Sequence, residues 1–367
     1  MSAFSDIITF TRASAAWRFN SAGVLEQVPA NQPRFDYDPV TRALKGLLVE
    51  EQRTNLILQS SDFNSAAWIR AAGITFSTDG TLAPDGSLMQ LATLSGTNNH
   101  NINQTLSAAL TVGTTYTLTV FVRAKGALFP FQLAYYDGST ALNGVLITPD
   151  TIGATQRLSF TFTPSVAATT PQVRLVGFGQ GGDGSQIYMW GGQLEVGAFP
   201  TSYIPTTSAQ VTRAADVASV NTLSPWFNPD EGTLFVEASS PALMDGVGRR
   251  AASLFQDNTN YMSLNRTNTG LISTDVVTGG SGQFTSLAAA VANNAIFRVA
   301  LAYATNDTIN AVNGAVSSPD TAVVLPAPRS LQIGQRGANQ GIWNGHIRRI
   351  RYWPRRLFDN ELQRITA

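Results

Sequence analysis

The chain has 367 residues, of which 43% are hydrophobic and only 13% charged, about half the charge of an average soluble protein. Lys+Arg and Asp+Glu number 24 each, and there is no cysteine and only two histidines, His100 and His346. Disulfides, thiolate nucleophiles, cysteine-ligated zinc and iron–sulfur clusters are therefore excluded, a histidine-centred catalytic site has little to draw on, and balanced charge gives no drive toward nucleic acid or anionic membrane.

Met1 to Asp6 carry no basic or apolar leader pattern, so no secretory signal is expected. Residues 1–58 show no core of their own, and Pro29, Pro33 and Pro39 interrupt them. Runs such as Gly46-Leu47-Leu48-Val49-Glu50 read as single strands, which are not stable alone in water. The expectation is an extended arm packing on the next domain or on another subunit, with a partly ordered leader as the alternative.

Residues 59–205 read as a β-sandwich. Tyr116, Leu118, Val120 and Val122 alternate with Thr117, Thr119 and Arg123, and Leu158, Phe160 and Phe162 repeat the pattern. Gln172 to Val176 and Gln186 to Glu195 supply further strands, with Asp85-Gly86, Asp137-Gly138 and Asp183-Gly184 as turns. Residues 206–230, bracketed by Pro205, Pro225 and Pro229, form a linker. Residues 231–367 read as a second sandwich: Leu234, Val236 and Ala238 share one strand face, as do Phe297, Val299, Leu301 and Tyr303. Asn313-Gly314 marks a tight hairpin, and a short helix, Asp359 to Ile365, closes the chain. The window Ser286 to Ala304 is broken by Asn293, Asn294 and Arg298 and is no bilayer helix. The fold class is all-β: two tandem antiparallel β-sandwiches of jelly-roll type, preceded by an extended N-terminal arm.

Few motifs carry chemistry. Gly177 to Gly182 match the dinucleotide pattern, but a strand follows where a helix must start, so the match is rejected. Asp183 in that loop leaves open a calcium site, on one carboxylate only. His100 lies in a polar turn and reads as solvated; His346 reads as a structural donor. Asp36/Asp38 and Glu50/Glu51 are carboxylate pairs, though both fall in the arm, and no enzyme activity and no cofactor are expected.

Sugar binding needs an aromatic face and a few hydrogen-bonding partners. Trp68, Tyr135, Tyr136 and Trp190 offer the first in one sandwich, with Asn98, Asn99, Asn101 and Gln132 for hydroxyls; Trp343 and Asn344 offer both in the other. The competing reading makes these aromatics core, and Trp190 beside Gly191-Gly192 belongs in the core or at a domain junction. Arg348, Arg349, Arg351, Arg355, Arg356 and Arg364 crowd the last 27 residues, and pairing between subunits or domains is favoured over a nucleic-acid patch.

Three sets of phrases carry a resemblance. Thr9-Phe10-Thr11-Arg12-Ala13-Ser14, Pro33 to Thr41 and Gly46 to Leu56 resemble the N-terminal segment of virion proteins of tailed bacteriophages, among them tail-fibre, head-fibre and decoration proteins. Trp190-Gly191-Gly192-Gln193-Leu194-Glu195, Phe199 to Thr206 and Thr212-Arg213-Ala214-Ala215-Asp216 are similar to the end of a carbohydrate-binding-module-like domain in such proteins. Asn344-Gly345-His346-Ile347 and Arg355 to Leu362 resemble the last strand and helix of a concanavalin A-like, or laminin-G-like, sandwich. The resemblance implies a virion structural protein, a homotrimer contacting other virion proteins, with host-surface glycan adhesion. The alternatives are a depolymerase accessory protein and a decoration protein without ligand. The glycan-binding candidates are Trp68, Tyr135, Tyr136, Trp343 and Asn344; the assembly candidates are Arg34, Phe35, Tyr37, Arg53, Arg348, Arg349 and Arg351.

Overall fold

The computed structural model of the chain describes residues 7–96, 100–126, 131–138, 142–147, 154–175, 184–241, 246–337 and 340–367. The expected all-β class is what the chain adopts, in antiparallel sheets with a helix at Asp359–Thr366. Two compact units share the residues: a split unit of 1–23, 27–52 and 214–367, and a central unit of 24–26 and 53–213.

The central unit holds two five-stranded sheets. One runs in the order Leu142–Ile147, Phe131–Tyr136, Gln172–Leu175, Ile102–Thr105, Ile69–Arg70; the other runs Gln156–Phe162, Tyr116–Lys125, Gln186–Val196, Gln90–Leu94, Ile74–Ser77. Leu133, Tyr135, Val173 and Leu175 from the first meet Leu118, Val120, Leu158 and Met189 from the second in one core. Thr117 and Thr119, outward by alternation, are nevertheless buried. The chain after Val196 crosses that outer face: Thr117 Oγ1 donates to the Gly197 carbonyl at 2.8 Å, and Tyr203 packs 4.6 Å from Trp190. Between Thr119 and Phe121 the pairing slips from Gln193 to Trp190, a bulge at Gly191-Gly192. Gly191 sits at φ 65°, and a Cβ there would lie 2.9 Å from the Phe121 ring.

The split unit holds two seven-stranded sheets. The first runs Thr9–Thr11, Val217–Val220, Ser330–Ile333, Arg249–Asp257, Asn260–Arg266, Leu271–Thr278, Ser281–Ala290. The second runs Ala315–Val316, Asp307–Val312, Phe297–Ala304, Glu231–Ser239, Gly345–Trp353, Leu44–Val49, Phe35–Tyr37. Their inner faces share a core that includes Leu234, Val236, Leu254, Leu264, Val299 and Trp343. The helix covers the outside of the second sheet with Leu362 against Phe235, Ala300 and Ile309, which buries those strands on both faces. Asn313 (φ 47°) and Gly314 (φ 82°) form the expected hairpin turn.

The segment read as an extended arm packing on the next domain or on another subunit is thus woven into these sheets. Thr9–Thr11 pairs with Val217–Val220, and Leu44–Val49 pairs with the strand Gly345–Trp353. Strands that lack a partner of their own find one far along the chain, which is the partner that pairing chemistry demands. The segment read as a linker, 206–230, likewise supplies Val211–Arg213 to the central unit and Val217–Val220 to the split one.

Four buried charges hold the N-terminal segment down. Arg12 Nη1 donates to Asp216 Oδ1 at 3.0 Å, and Arg34 Nη2 donates to Asp216 Oδ2 and lies 2.9 Å from Glu50 Oε2. The Glu50 N–H also reaches Asp216 Oδ2 at 2.9 Å. Burial works against the Arg34 charge, but Asp216 and Glu50 outweigh it and raise its pKa. Arg34 therefore serves this chain's interior and is lost as a subunit contact. Arg53 is also buried within its own unit, over the Phe199 ring at 4.8 Å and 4.0 Å from Glu195. Phe35 packs on the split unit's core, and Tyr37 is half-buried on the edge strand.

Removing the shared carboxylate takes the acid from Arg12 and leaves Arg34 with Glu50, so Asp216→Asn is expected to cost roughly 3–5 kcal/mol in urea-induced unfolding. A second anchor is His346, whose Nε2 lies 2.8 Å from Asp36 Oδ2. Burial lowers the His346 pKa despite that bond. The unfolded chain therefore binds a proton at about pH 6.5 that the folded chain still refuses, and stability falls as pH drops below that point. The midpoint of thermal unfolding should decrease between about pH 7 and 5, and His346→Gln should flatten the decrease.

Candidate functional site

Strand alternation leaves one face of the central unit's first sheet pointing away from its core. On the strand Phe131–Tyr136, Leu133 and Tyr135 are core, so Gln132, Ala134 and Tyr136 face outward. Register carries the face across: Tyr136 stands opposite Gln172, Ala134 opposite Arg174, and Asn103 opposite Arg174. Asn101, two residues before Asn103, falls on the same side.

Tyr136 is half-buried, and the Arg174 guanidinium lies over its ring at 4.0 Å. Gln172 Oε1 accepts from Arg174 Nε at 3.2 Å and Nη2 at 3.0 Å, fixing the guanidinium plane. Burial lowers the Arg174 pKa. Asn103 Nδ2 donates to Asn101 Oδ1 at 2.8 Å, leaving the buried Asn103 Oδ1 without a hydrogen-bond partner. The face thus offers a flat π–guanidinium stack, two amides of fixed orientation and an acceptor short of a donor. That is the chemistry that grips a pyranose ring and its hydroxyls.

The other sugar-binding candidates take different places. Trp68 is buried, edge-on to Phe63 at 4.9 Å, with Nε1 donating to the Gln59 carbonyl at 3.1 Å. Tyr135 is buried and stacked on Phe162 at 4.8 Å, and burial raises its pKa. Trp190 is core, as one of its two readings held. Trp343 is fully buried and donates to the Ser239 carbonyl at 3.1 Å. Asn344, at φ 51°, accepts the Glu51 N–H at 2.8 Å. Buried rings offer no stacking surface, so Trp68, Tyr135 and Trp343 are structural, and Asn344 is a buried residue tied to the Glu51 backbone. Asn98, Asn99, Asp183 and the Gly177–Gly182 loop lie outside the described residues.

The titratable candidates are tied into the fold. His100 is not solvated but buried, its Nε2 2.9 Å from the Ser95 carbonyl. Glu51 pairs with Arg249 at 3.2 Å, and Asp38 accepts the N–H groups of Val40 and Thr41 in a turn. Arg348 lies 3.3 Å from Glu237, while Arg349 and Arg351 are exposed. No group of three metal-ligating side chains occurs among the described residues.

Sequence reading reached Tyr136, Asn101 and Gln132 but missed Arg174 and Asn103. Their signal was the alternation Gln172-Val173-Arg174-Leu175 and Asn101-Ile102-Asn103, polar residues interleaved with core ones.

No family model matches the chain, and no curated protein matches it. Among solved structures it is similar to the CBM40 of a Ruminococcus gnavus IT-sialidase bound to α2,3-sialyllactose, at 18% identity and TM-score 0.33, over 38% of this chain and 84% of that one. It is also similar to a heptameric SAP-like pentraxin from Limulus polyphemus, at 14% identity and TM-score 0.31, over 40% and 79%. The CBM22-1 xylan-binding domain of Paenibacillus barcinonensis Xyn10C gives 7% identity and TM-score 0.30, over 39% and 92%. Likeness at this level says nothing of what this chain binds.

If Trp68 is core and Tyr136 is surface, truncation separates them. Trp68→Ala should cost about 3–5 kcal/mol in urea unfolding, and Tyr136→Ala less than about 1 kcal/mol.

Proposed function

We propose that the protein is a glycan-binding structural component displayed on a bacteriophage particle, and that it acts without catalysis. The observation that carries the glycan reading is the Tyr136–Arg174 stack, held by Gln172 beside Asn101 and Asn103. An aromatic ring, fixed amides and an unmet acceptor on an open sheet face suit sugar hydroxyls better than they suit a reaction. The acid pairs that hydrolysis would need are engaged elsewhere, Asp36 with His346, Glu50 with Arg34 and Glu51 with Arg249.

Placement on a virion is supported by the phrases Thr9 to Ser14, Pro33 to Thr41 and Gly46 to Leu56. Arg348, Arg349 and Arg351, exposed on the strand Gly345–Trp353, are the assembly candidates that still face outward. The homotrimer remains part of this proposal, as does contact with other virion proteins.

The test is a glycan array followed by calorimetry on the best hit. Tyr136→Ala and Asn103→Ala should each weaken binding roughly tenfold, about 1.4 kcal/mol, with unchanged thermal melting. Antibody to the chain should label purified particles. An array without signal, or equal affinity in both variants, removes the glycan reading; unlabelled particles remove the virion reading.

A further inference from the structure

The split unit presents a second polar face, on the outside of its first seven-stranded sheet. Register aligns Ser219, Gln332, Ser253, Ser263, Asp275 and Thr285 side by side on six adjacent strands. A parallel row sets Arg250 opposite Asn265 and Asn265 opposite Ser273. Between the rows runs a groove of about 310 Å³, with Asn265, Ser273 and Asp275 among its walls and Arg250 at one side. Such a polar transect is costly on a sheet that could have carried Thr and Val, because several of its groups are buried.

The charges on this face do not balance. Asn265 Nδ2 donates to Asp275 Oδ2 at 2.5 Å, and this single acid of the groove is shared electrostatically between two arginines, Arg250 and Arg336. Arg336 lies over the Tyr261 ring at 4.0 Å. Among the described residues neither Arg250 nor Arg336 has a carboxylate within ion-pair distance. Burial, and then the charge of Arg336, lowers the Arg250 pKa, and the opposing pull of Tyr261 and Asp275 does not make up for them. The buried Nε atoms of both arginines, Asn265 Oδ1 and the hydroxyls of Ser253 and Ser263 all lack partners. Two forked cations ask for a carboxylate, and the amide and hydroxyl groups beside them ask for a polyol.

We propose that this face binds a saccharide bearing a carboxylate, the carboxylate set against Arg250 and Arg336 and the ring hydroxyls against Asn265, Ser273 and Asp275. The site is independent of the Tyr136 face and lies in the other unit.

The test is calorimetry of the full chain with hexagalacturonate and with a sialic-acid hexamer. The carboxyl-reduced hexagalacturonate and hexaglutamate serve as controls. At least one acidic saccharide should bind, roughly tenfold more weakly once its carboxylates are reduced, and more weakly again in about 0.5 M salt. Arg250→Gln and Arg336→Gln should each weaken it to the same degree, while Tyr136→Ala leaves it unchanged. Binding of neither acidic saccharide overturns the proposal. So does equal affinity for the carboxyl-reduced form, equal affinity for hexaglutamate, or loss through Tyr136→Ala alone. Should an arginine variant fail to fold, the carboxyl-reduction and salt comparisons on the native chain decide.

Discussion

Asp216 is the point on which the split unit closes. It accepts from Arg12, Arg34 and the Glu50 backbone, all some 170 to 200 residues upstream of it. Ion pairs of this kind are a poor source of net stability, because desolvating the charges consumes much of the attraction. What they supply is selectivity of place. Arg12 and Arg34 meet this one carboxylate only when their strands lie in the native register, which favours that register over its neighbours. Once there, Thr9–Thr11 pairs with Val217–Val220 and Leu44–Val49 with Gly345–Trp353, and one edge of each seven-stranded sheet comes from the first fifty residues.

Much of this fold was legible in the sequence, and the failures have physical causes. Period-two alternation located Tyr116–Lys125, Gln156–Phe162 and Phe297–Ala304, and Asn313-Gly314 announced its hairpin, because these depend on neighbours in the chain. The destination of the N-terminal strands depends on partners hundreds of residues away, which local pattern does not encode. The burial of Thr117 and Thr119 depends on the crossing of residues 197–206, again a distant event. Aromatic content misled for a related reason. Trp68, Tyr135 and Trp343 look like sugar platforms by residue type, yet a sandwich core claims large rings first, since each removes so much apolar surface from water.

The two outer faces differ in chemistry in a way that residue type alone conceals. Around Tyr136 the guanidinium of Arg174 is spent on a ring and on Gln172, and its role is to hold a surface flat. Around Arg250 and Arg336 two guanidiniums share one acid, Asp275, and several polar atoms of the face lack partners. Both faces arise from the same device, polar residues on every second position of strands whose other side builds a core. Only the register between strands turns such scattered letters into a surface, which explains why Asn103, Arg174 and the Ser253–Ser263 row escaped a reading made one segment at a time.

The central unit is inserted between residue 52 and residue 214 of the split one, and its two chain ends leave side by side, Asn55 opposite Val211. During synthesis the central sandwich is complete well before the strand Gly345–Trp353 has been made. Asp216 and the Val217–Val220 partner of Thr9–Thr11 emerge directly after the central unit, but the residues of Leu44–Val49 must wait for Gly345–Trp353 until the ribosome has nearly finished. For that interval they are held open to chaperones, or to the same segment of a sister chain emerging nearby.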